Sequence, residues 1–223
     1  MNMSTAENAV QWLFLDLNAF FASCEQQENA ALRGKPVIVV QTPTDSAVAI
    51  AASYAAKAFG IKTGTLVRDA RKLCPGVIPV QANHRLYTDY HERILKAVDT
   101  CLPVDKVMSI DEMACRLMGT ERQVPVAREL ALKVKRALRE QVGECLTCSI
   151  GLAPNVFLGK VGSDLQKPDG LTVITHDNLP EVLLGLELQE IYGIGERMEQ
   201  RLHRAGILTV EQLWNATPFR CFV

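Results

Sequence analysis

The 223-residue chain has no charge excess of either sign. Its formal net charge is −1, from 24 Lys or Arg against 25 Asp or Glu, so the total points to no class of partner. It also lacks a long hydrophobic run. Nothing approaches the roughly 18 apolar residues that a membrane span needs, which excludes a membrane partner of that kind. The apolar stretch at residues 12–15 is too short for the core of a signal peptide, and polar residues precede it. A disulfide framework is missing too. Seven cysteines, an odd number, lie scattered without regular spacing, which implies reduced thiols and a cytoplasmic location. Cys145-Leu-Thr-Cys148 has metal-ligand spacing, but no second cysteine pair or nearby histidine pair accompanies it. His84 and His91 share a helical segment with no acid or cysteine to complete a ligand set, so they read as ordinary helix residues.

What is present is a large apolar fraction, 48% of residues, ample for one large or two small domains. Charge is also unevenly distributed. Between Phe20 and Arg85 there are eight Lys or Arg against four Asp or Glu; such a patch meets phosphates or forms a solvated face, and charge alone does not decide. After Thr175 the balance reverses, with four Arg against seven acids.

The apolar patterning gives an order of elements. Residues 12–17 read as a buried strand, 19–31 as a helix, and Val37–Val40 as a β-branched strand. The second half of AVAIAASYAAKAFG suits a helix stopped by Gly60, and 69–73 a short helix. Leu86, Tyr90, Ile94 and Val98 mark an amphipathic helix over 83–101, with Asn83 as its cap. Val107–Ile110 reads as a strand running into Asp111 and Glu112, with a further strand through 113–117. A helix follows over 126–142, a strand over 146–152 and a helix over 156–165. The predicted class is α+β: an antiparallel sheet packed by two helices on one face, a basic insertion after the first strand, and a small helical unit beyond a boundary near Thr175.

Three acids stand out against this pattern. Asp16 closes the apolar run Trp12-Leu-Phe-Leu15, and Asp111 and Glu112 close the second. A charge in a buried sheet must be paired or hold a metal, and few Lys or Arg flank these acids in sequence. Two strand ends bearing three carboxylates therefore point to a divalent cation, with Mg²⁺ matching hard oxygen ligands. A pair of such ions suits in-line phosphoryl transfer. Lys167-Pro-Asp-Gly170 is either a plain turn or a rigid mount for a lysine that reaches a triphosphate. The segment around Gly193-Ile194-Gly195 has helix-hairpin-helix spacing, in which glycines let backbone amides approach DNA phosphates.

Taken in order, FLDLNAFFASCEQ, GKPVIVV, SYAAKAFGIKTG, MSIDE, CSIGLAPNVFLGKVGSDLQKPDGL and EIYGIGERMEQRL resemble the Y-family (DinB/UmuC-like) translesion DNA polymerases over residues 12 to about 215. The resemblance implies template-directed transfer of dNMP from dNTP to a primer 3′-hydroxyl. Asp16, Asp111 and Glu112 match the catalytic metal-binding acids, joined by the Leu17 carbonyl, with two Mg²⁺ ions, or Mn²⁺, as cofactors. Phe20 and Phe21 match the pair beneath the incoming sugar, Phe21 at the position that rejects a 2′-hydroxyl. Tyr54, Lys57 and Lys167 match the triphosphate contacts, and Gly193, Ile194 and Gly195 the DNA-binding hairpin. Ala49, Ala51 and Ala52 are candidates for the space over the nascent pair, or for simple helix packing.

The implied division is a palm (10–19 and 86–174), inserted fingers (20–85) and an all-α thumb (175–223). Implied partners are primer–template DNA and dNTP, with a sliding clamp and other repair proteins typical of the family. The chain departs from the family pattern in several places. Lys57 stands where many members carry Arg, MACRLMG replaces a strand that commonly holds an aromatic, and Tyr192 replaces a frequent Pro. The sequence ends at Val223, where members continue into a little finger, so a shortened form is expected. A non-catalytic DNA-binding adaptor of a mutagenic repair complex is the alternative, though the three acids argue for catalysis. The hairpin argues against a nucleotide cyclase.

Overall fold

The computed structural model describes residues 9–217. Its centre is a five-stranded sheet in the order β5-β6-β1-β7-β8. Strand β1 (Trp12–Leu17) lies in the middle, antiparallel to both β6 (Glu112–Arg116) and β7 (Cys148–Ala153). With neighbours on both sides its backbone groups are satisfied, so an apolar run can be buried there. Strand β5 (Lys106–Val107) flanks β6, and β8 (Leu171–Val173) pairs parallel with β7. The sheet is therefore mixed, not wholly antiparallel as expected. The parallel pair arises because a helix, Val156–Leu165, carries the chain back across the sheet between β7 and β8.

Side chains alternate across a strand. Leu13, Leu15 and Leu17 of β1, Met113 and Cys115 of β6, and Cys148, Ile150 and Leu152 of β7 all join one core cluster. Two amphipathic helices cover that face, His84–Asp99 and Val124–Gln141, through Tyr87, Tyr90, Ile94, Val98, Ala127, Ala131, Val134 and Leu138. Asn83 caps the first by accepting from the Leu86 amide at 3.2 Å. Burying each large apolar side chain contributes roughly 1.5–3 kcal/mol.

The opposite face holds Phe14, Asp16, Glu112, Ser149 and Gly151, and the Val156–Leu165 helix packs there. Its approach is close because glycines meet. A Cβ on Gly151 would lie 2.0 Å from the Gly159 carbonyl oxygen, and one on Gly159 would lie 2.9 Å from Phe14 Cβ. The expected two helices on one face are thus joined by a third on the other.

Numbered in chain order, the helices begin with α1 (Phe20–Glu28), whose Phe20, Ala22 and Cys24 belong to the core of the large sheet. The expected 19–31 helix breaks at Asn29, and a 3₁₀ turn follows over Ala30–Leu32. A second sheet, ordered β3-β2-β4, comprises β2 (Val37–Val40), β3 (Ala49–Ala52) and β4 (Ile78–Gln81). It has its own apolar cluster with α2 (Tyr54–Lys57) and α3 (Val67–Leu73). Residues 49–52 are strand, so helix packing does not account for Ala49, Ala51 and Ala52; pairing with β2 overrides alanine's weak strand preference. The helices already described, His84–Asp99, Val124–Gln141 and Val156–Leu165, are α4, α5 and α6.

Beyond Thr175 a third cluster joins Leu183, Leu188, Ile191, Leu202, Ile207 and Val210 to Leu158, Val161 and Ile174. It is built from α7 (Glu181–Leu184), α8 (Glu196–Arg204) and α9 (Val210–Trp214). Among the described residues, no helix is long and apolar enough to cross a membrane. Six cysteines lie in this range and all are free thiols, Cys145 and Cys148 included.

Candidate active site

A cavity of about 320 Å³ opens at the edge of the large sheet. Its walls include Asp16, Leu17, Phe20, Phe21, Lys57, Asp111, Glu112 and Lys167, together with Ala51 and Ala52 of β3. Most of the sequence-predicted site residues are therefore brought to one place. Five are not on its wall: Gly193, Ile194 and Gly195, which lie near the other end of the chain, and Ala49 and Tyr54. Ala49 is buried in the core of the smaller sheet. Tyr54 stands behind Lys57, whose Nζ lies 4.4 Å from the Tyr54 ring centroid.

Asp16 reaches this cavity because it shares a face of β1 with Phe14, away from the leucines. Its strand neighbours in register are Glu112 and Ser149. Asp111 arrives differently from expectation. The strand before it stops at Val107, and residues 108–111 form a hairpin turn in which the Met108 and Ser109 amides both donate to the Glu112 carbonyl, at 2.9 and 3.2 Å. Glu112 thus opens a strand instead of closing one. The Asp111 carboxylate accepts from Ser109 Oγ at 2.6 Å, and its backbone carbonyl accepts from the Leu17 amide at 2.9 Å. His91 Nδ1 lies 2.8 Å from the Ile110 carbonyl and steadies the turn from α4.

The sparsity of basic residues around the acids in sequence does not carry into space. Asp16 is 5% exposed. Its Oδ2 lies 2.5 Å from Lys160 Nζ and its Oδ1 2.8 Å from Lys167 Nζ. Lys160 also reaches Glu112 Oε1 at 2.9 Å, and both ammonium groups meet Asp164 Oδ1, at 3.0 and 2.8 Å. Burial disfavours charge on Lys160, but Asp16, Glu112 and Asp164 outweigh it and raise its pKa. The same opposition, with Asp16 and Asp164 prevailing, raises Lys167. Lys57 moves the other way: burial first, then the Lys167 charge, lowers its pKa against the pull of Asp16.

Lys160 and Asp164 went unread in the sequence. The available signal was a single lysine inside the apolar, glycine-flanked run Val156–Leu165, four residues before an acid. Asn18 was missed as well. It is buried, donates to Ser149 Oγ at 3.0 Å and accepts from the Asp169 amide at 2.8 Å. Lys135 reaches the Cys148 and Asp169 carbonyls and the Asp169 carboxylate, each at 2.7 Å. Gly170 has no room for a Cβ, which would fall 1.7 Å from the Gln166 carbonyl oxygen. Together these contacts pin the turn that carries Lys167.

The aromatic pair is set by the backbone. Ala19 has a left-handed conformation, φ 48°, and turns the chain sharply from β1 into α1. Phe20 is thereby buried and Phe21 faces the cavity. The Phe21 ring stacks on Tyr87 at 4.4 Å and 19°, while the Tyr87 hydroxyl donates to Glu25 Oε1 at 2.7 Å.

No group of three His, Cys, Asp or Glu among the described residues forms a ready-made metal cage. The side chains explain this, since Asp111 turns to Ser109 and an ammonium group separates Asp16 from Glu112. The donor chemistry nevertheless fits a hard cation. Asp16, Asp111 and Glu112 offer only oxygens, and two of them already grip a positive charge between them.

At the far end of the chain, Gly193 has φ +89° and Gly195 stands at the start of α8 without a side-chain cap. Ile194 packs against the third apolar cluster. Tyr192 lies 6.4 Å from the Phe157 ring. The first turn of α8 carries Glu196 and Glu199, so any phosphate contact here must be local to the backbone.

An α+β core whose central strand carries a buried acid, with a second acid in register on its neighbour and a smaller sheet over the cleft, is shared with solved Y-family DNA polymerases, the class to which the chain belongs. The chain belongs to the impB/mucB/samB family, whose model matches residues 15–164. It is similar to the DNA polymerase IV of Moorella thermoacetica, 40% identical over 203 residues that cover 90% of this chain and 50% of that protein. Its fold is similar to the crystal structure of DinB from Sulfolobus solfataricus, with 31% identity and a TM-score of 0.79 over 93% of this chain and 60% of that one. An insertion ternary complex of Dbh DNA polymerase is similar at 30% identity and a TM-score of 0.78, over 93% and 61%. The chain spans about half the length of the curated relatives it matches.

Proposed function

We propose that the chain catalyses template-directed DNA synthesis of the damage-bypass type, adding dNMP from dNTP to a primer 3′-hydroxyl. One observation carries this reading. Asp16, Asp111, Glu112, Phe21, Lys57 and Lys167, drawn from distant parts of the sequence, line a single cavity. The family and the polymerase structures that the chain resembles support it.

In this reading Asp16, Asp111, Glu112 and the Leu17 carbonyl hold two Mg²⁺ ions, for which Mn²⁺ substitutes. Such ions, when bound, activate the attacking hydroxyl and neutralise the leaving pyrophosphate. The protein's own part is positioning. Lys57 and Lys167, with Tyr54, receive the triphosphate. The lowered pKa of Lys57 reflects a charge disfavoured by burial and by Lys167, which an arriving anion relieves. Phe21, backed by Tyr87, forms a wall against a 2′-hydroxyl, and Phe20 supports it from below. Ala51 and Ala52 roof the base pair. Gly193, Ile194 and Gly195 offer backbone amides to a DNA phosphate. Residues 10–19 with 86–174 act as palm, 20–85 as fingers and 175–223 as thumb.

A second reading, a non-catalytic DNA-binding adaptor, is favoured by the neutralisation of Asp16 by Lys160 and Lys167. Primer extension at low salt with Mg²⁺ or Mn²⁺ separates the two. The enzyme reading expects extension at high protein concentration and a loss of at least about 100-fold in Asp111→Ala, the scale seen when one transition-state contact is removed. Extension that survives the substitution removes Asp111 from the chemistry. No extension by the unaltered chain favours the adaptor.

A further inference from the structure

Lys160 is 8% exposed and sits on an apolar helix, yet its ammonium group contacts three carboxylates. An ion so placed balances the charges of buried Asp16 and half-buried Glu112, which would otherwise repel each other across the register pair. It also occupies the oxygens that the proposed function assigns to a divalent cation. The third carboxylate, Asp164, lies one helical turn on, at the less buried end of the cluster, with 35% of its side chain exposed. It needs no strand movement to accept the ammonium alone.

We propose that Lys160 is the built-in counter-ion of the acid cluster: it holds Asp16 and Glu112 together without metal, and yields them by withdrawing onto Asp164 when a divalent cation enters. The inference rests on the metal-dependent reading of the site. It makes Lys160 a positioning residue and Asp164 its landing point. No bond is made or broken, and one positive charge is exchanged for another. The close glycine contacts of α6 keep the lysine within reach in both arrangements, because they fix the helix against β1 and β7.

Mn²⁺ binding to the 223-residue chain, read by the loss of free-ion EPR signal, tests this without DNA synthesis. Lys160→Met is expected to bind Mn²⁺ at least about tenfold tighter than the unaltered chain, because a competing charge is gone. In EDTA its melting temperature is expected to fall, and Mn²⁺ to restore more of it than in the unaltered chain. Asp164→Asn, which leaves Lys160 no anionic landing point, is expected to weaken Mn²⁺ binding, and to do so less in a Lys160→Met background. This dependence of one substitution on the other is not expected of a lysine that serves packing alone.

Equal or weaker Mn²⁺ binding by folded Lys160→Met overturns the proposal. Should that variant fail to fold, unchanged Mn²⁺ affinity in Asp164→Asn overturns it instead. If the unaltered chain binds no Mn²⁺ at all, the metal-dependent reading itself falls, a result distinct from failure of the counter-ion role.

Discussion

The two faces of the five-stranded sheet are built on opposite principles. The face under α4 and α5 is closed by large apolar side chains, and its polar contacts lie at its margins, as with the Tyr87 hydroxyl and Glu25. The face under α6 is closed by glycines and holds buried charge. One strand serves both, since alternate residues of β1 point to opposite sides. Leu15 and Asp16 are adjacent in sequence and belong to different environments. The lesson is that stability and chemistry can be separated by a single step along a strand.

That separation can be broken by experiment. The largest expected effect is from Leu15→Ala, which leaves a cavity on the apolar face. It is expected to lower stability by about 2–5 kcal/mol in urea unfolding, while the Mn²⁺ affinity of the remaining folded protein stays unchanged. A loss of metal binding at constant fold would show that the two faces are not independent.

Gly151→Ala tests the other face. Its methyl group would meet the Gly159 carbonyl, so α6 must shift, and overpacking of this kind costs about 1–3 kcal/mol. Here Mn²⁺ affinity is expected to change with stability, because Lys160 rides on the displaced helix. Tyr87→Phe gives the smallest effect. It removes the hydroxyl contact to Glu25 and keeps the ring stacked on Phe21, for a loss of about 0.5–1.5 kcal/mol. Chemical denaturation at several urea concentrations resolves all three.

Much of the apolar face was legible in the sequence. Trp12–Leu17 and Val37–Val40 have the predicted bounds, because short apolar runs bounded by polar or turn residues leave little choice. Helices α4 and α5 follow from their periodicity to within a few residues. The charged face was legible only in part. Asp16 stood out as an acid inside an apolar strand. Lys160 did not, because a lone lysine in a helix is most often solvated; only the glycine packing of α6, a tertiary effect, drives it inward. The hairpin at 108–111 was missed because Met108 and Ile110 extend the apolar pattern of the strand, although Ser109 and Asp111 are residues that turns favour. Residues 49–52 were not recognised as strand because alanine carries almost no strand signal of its own.

The central place of β1 has a consequence in time. It is the first strand of the described chain and the middle strand of the sheet, and Asp16 finds its register partners only at Glu112 and Ser149. At roughly 5–20 residues per second of synthesis, both edges of β1 stay bare for on the order of ten seconds after it is made. An apolar strand open on two sides is a template for pairing with other chains. The strand that carries the buried acid is thus left open while the following residues are made; β6 shelters one edge, and the second is covered only when β7 has been synthesised.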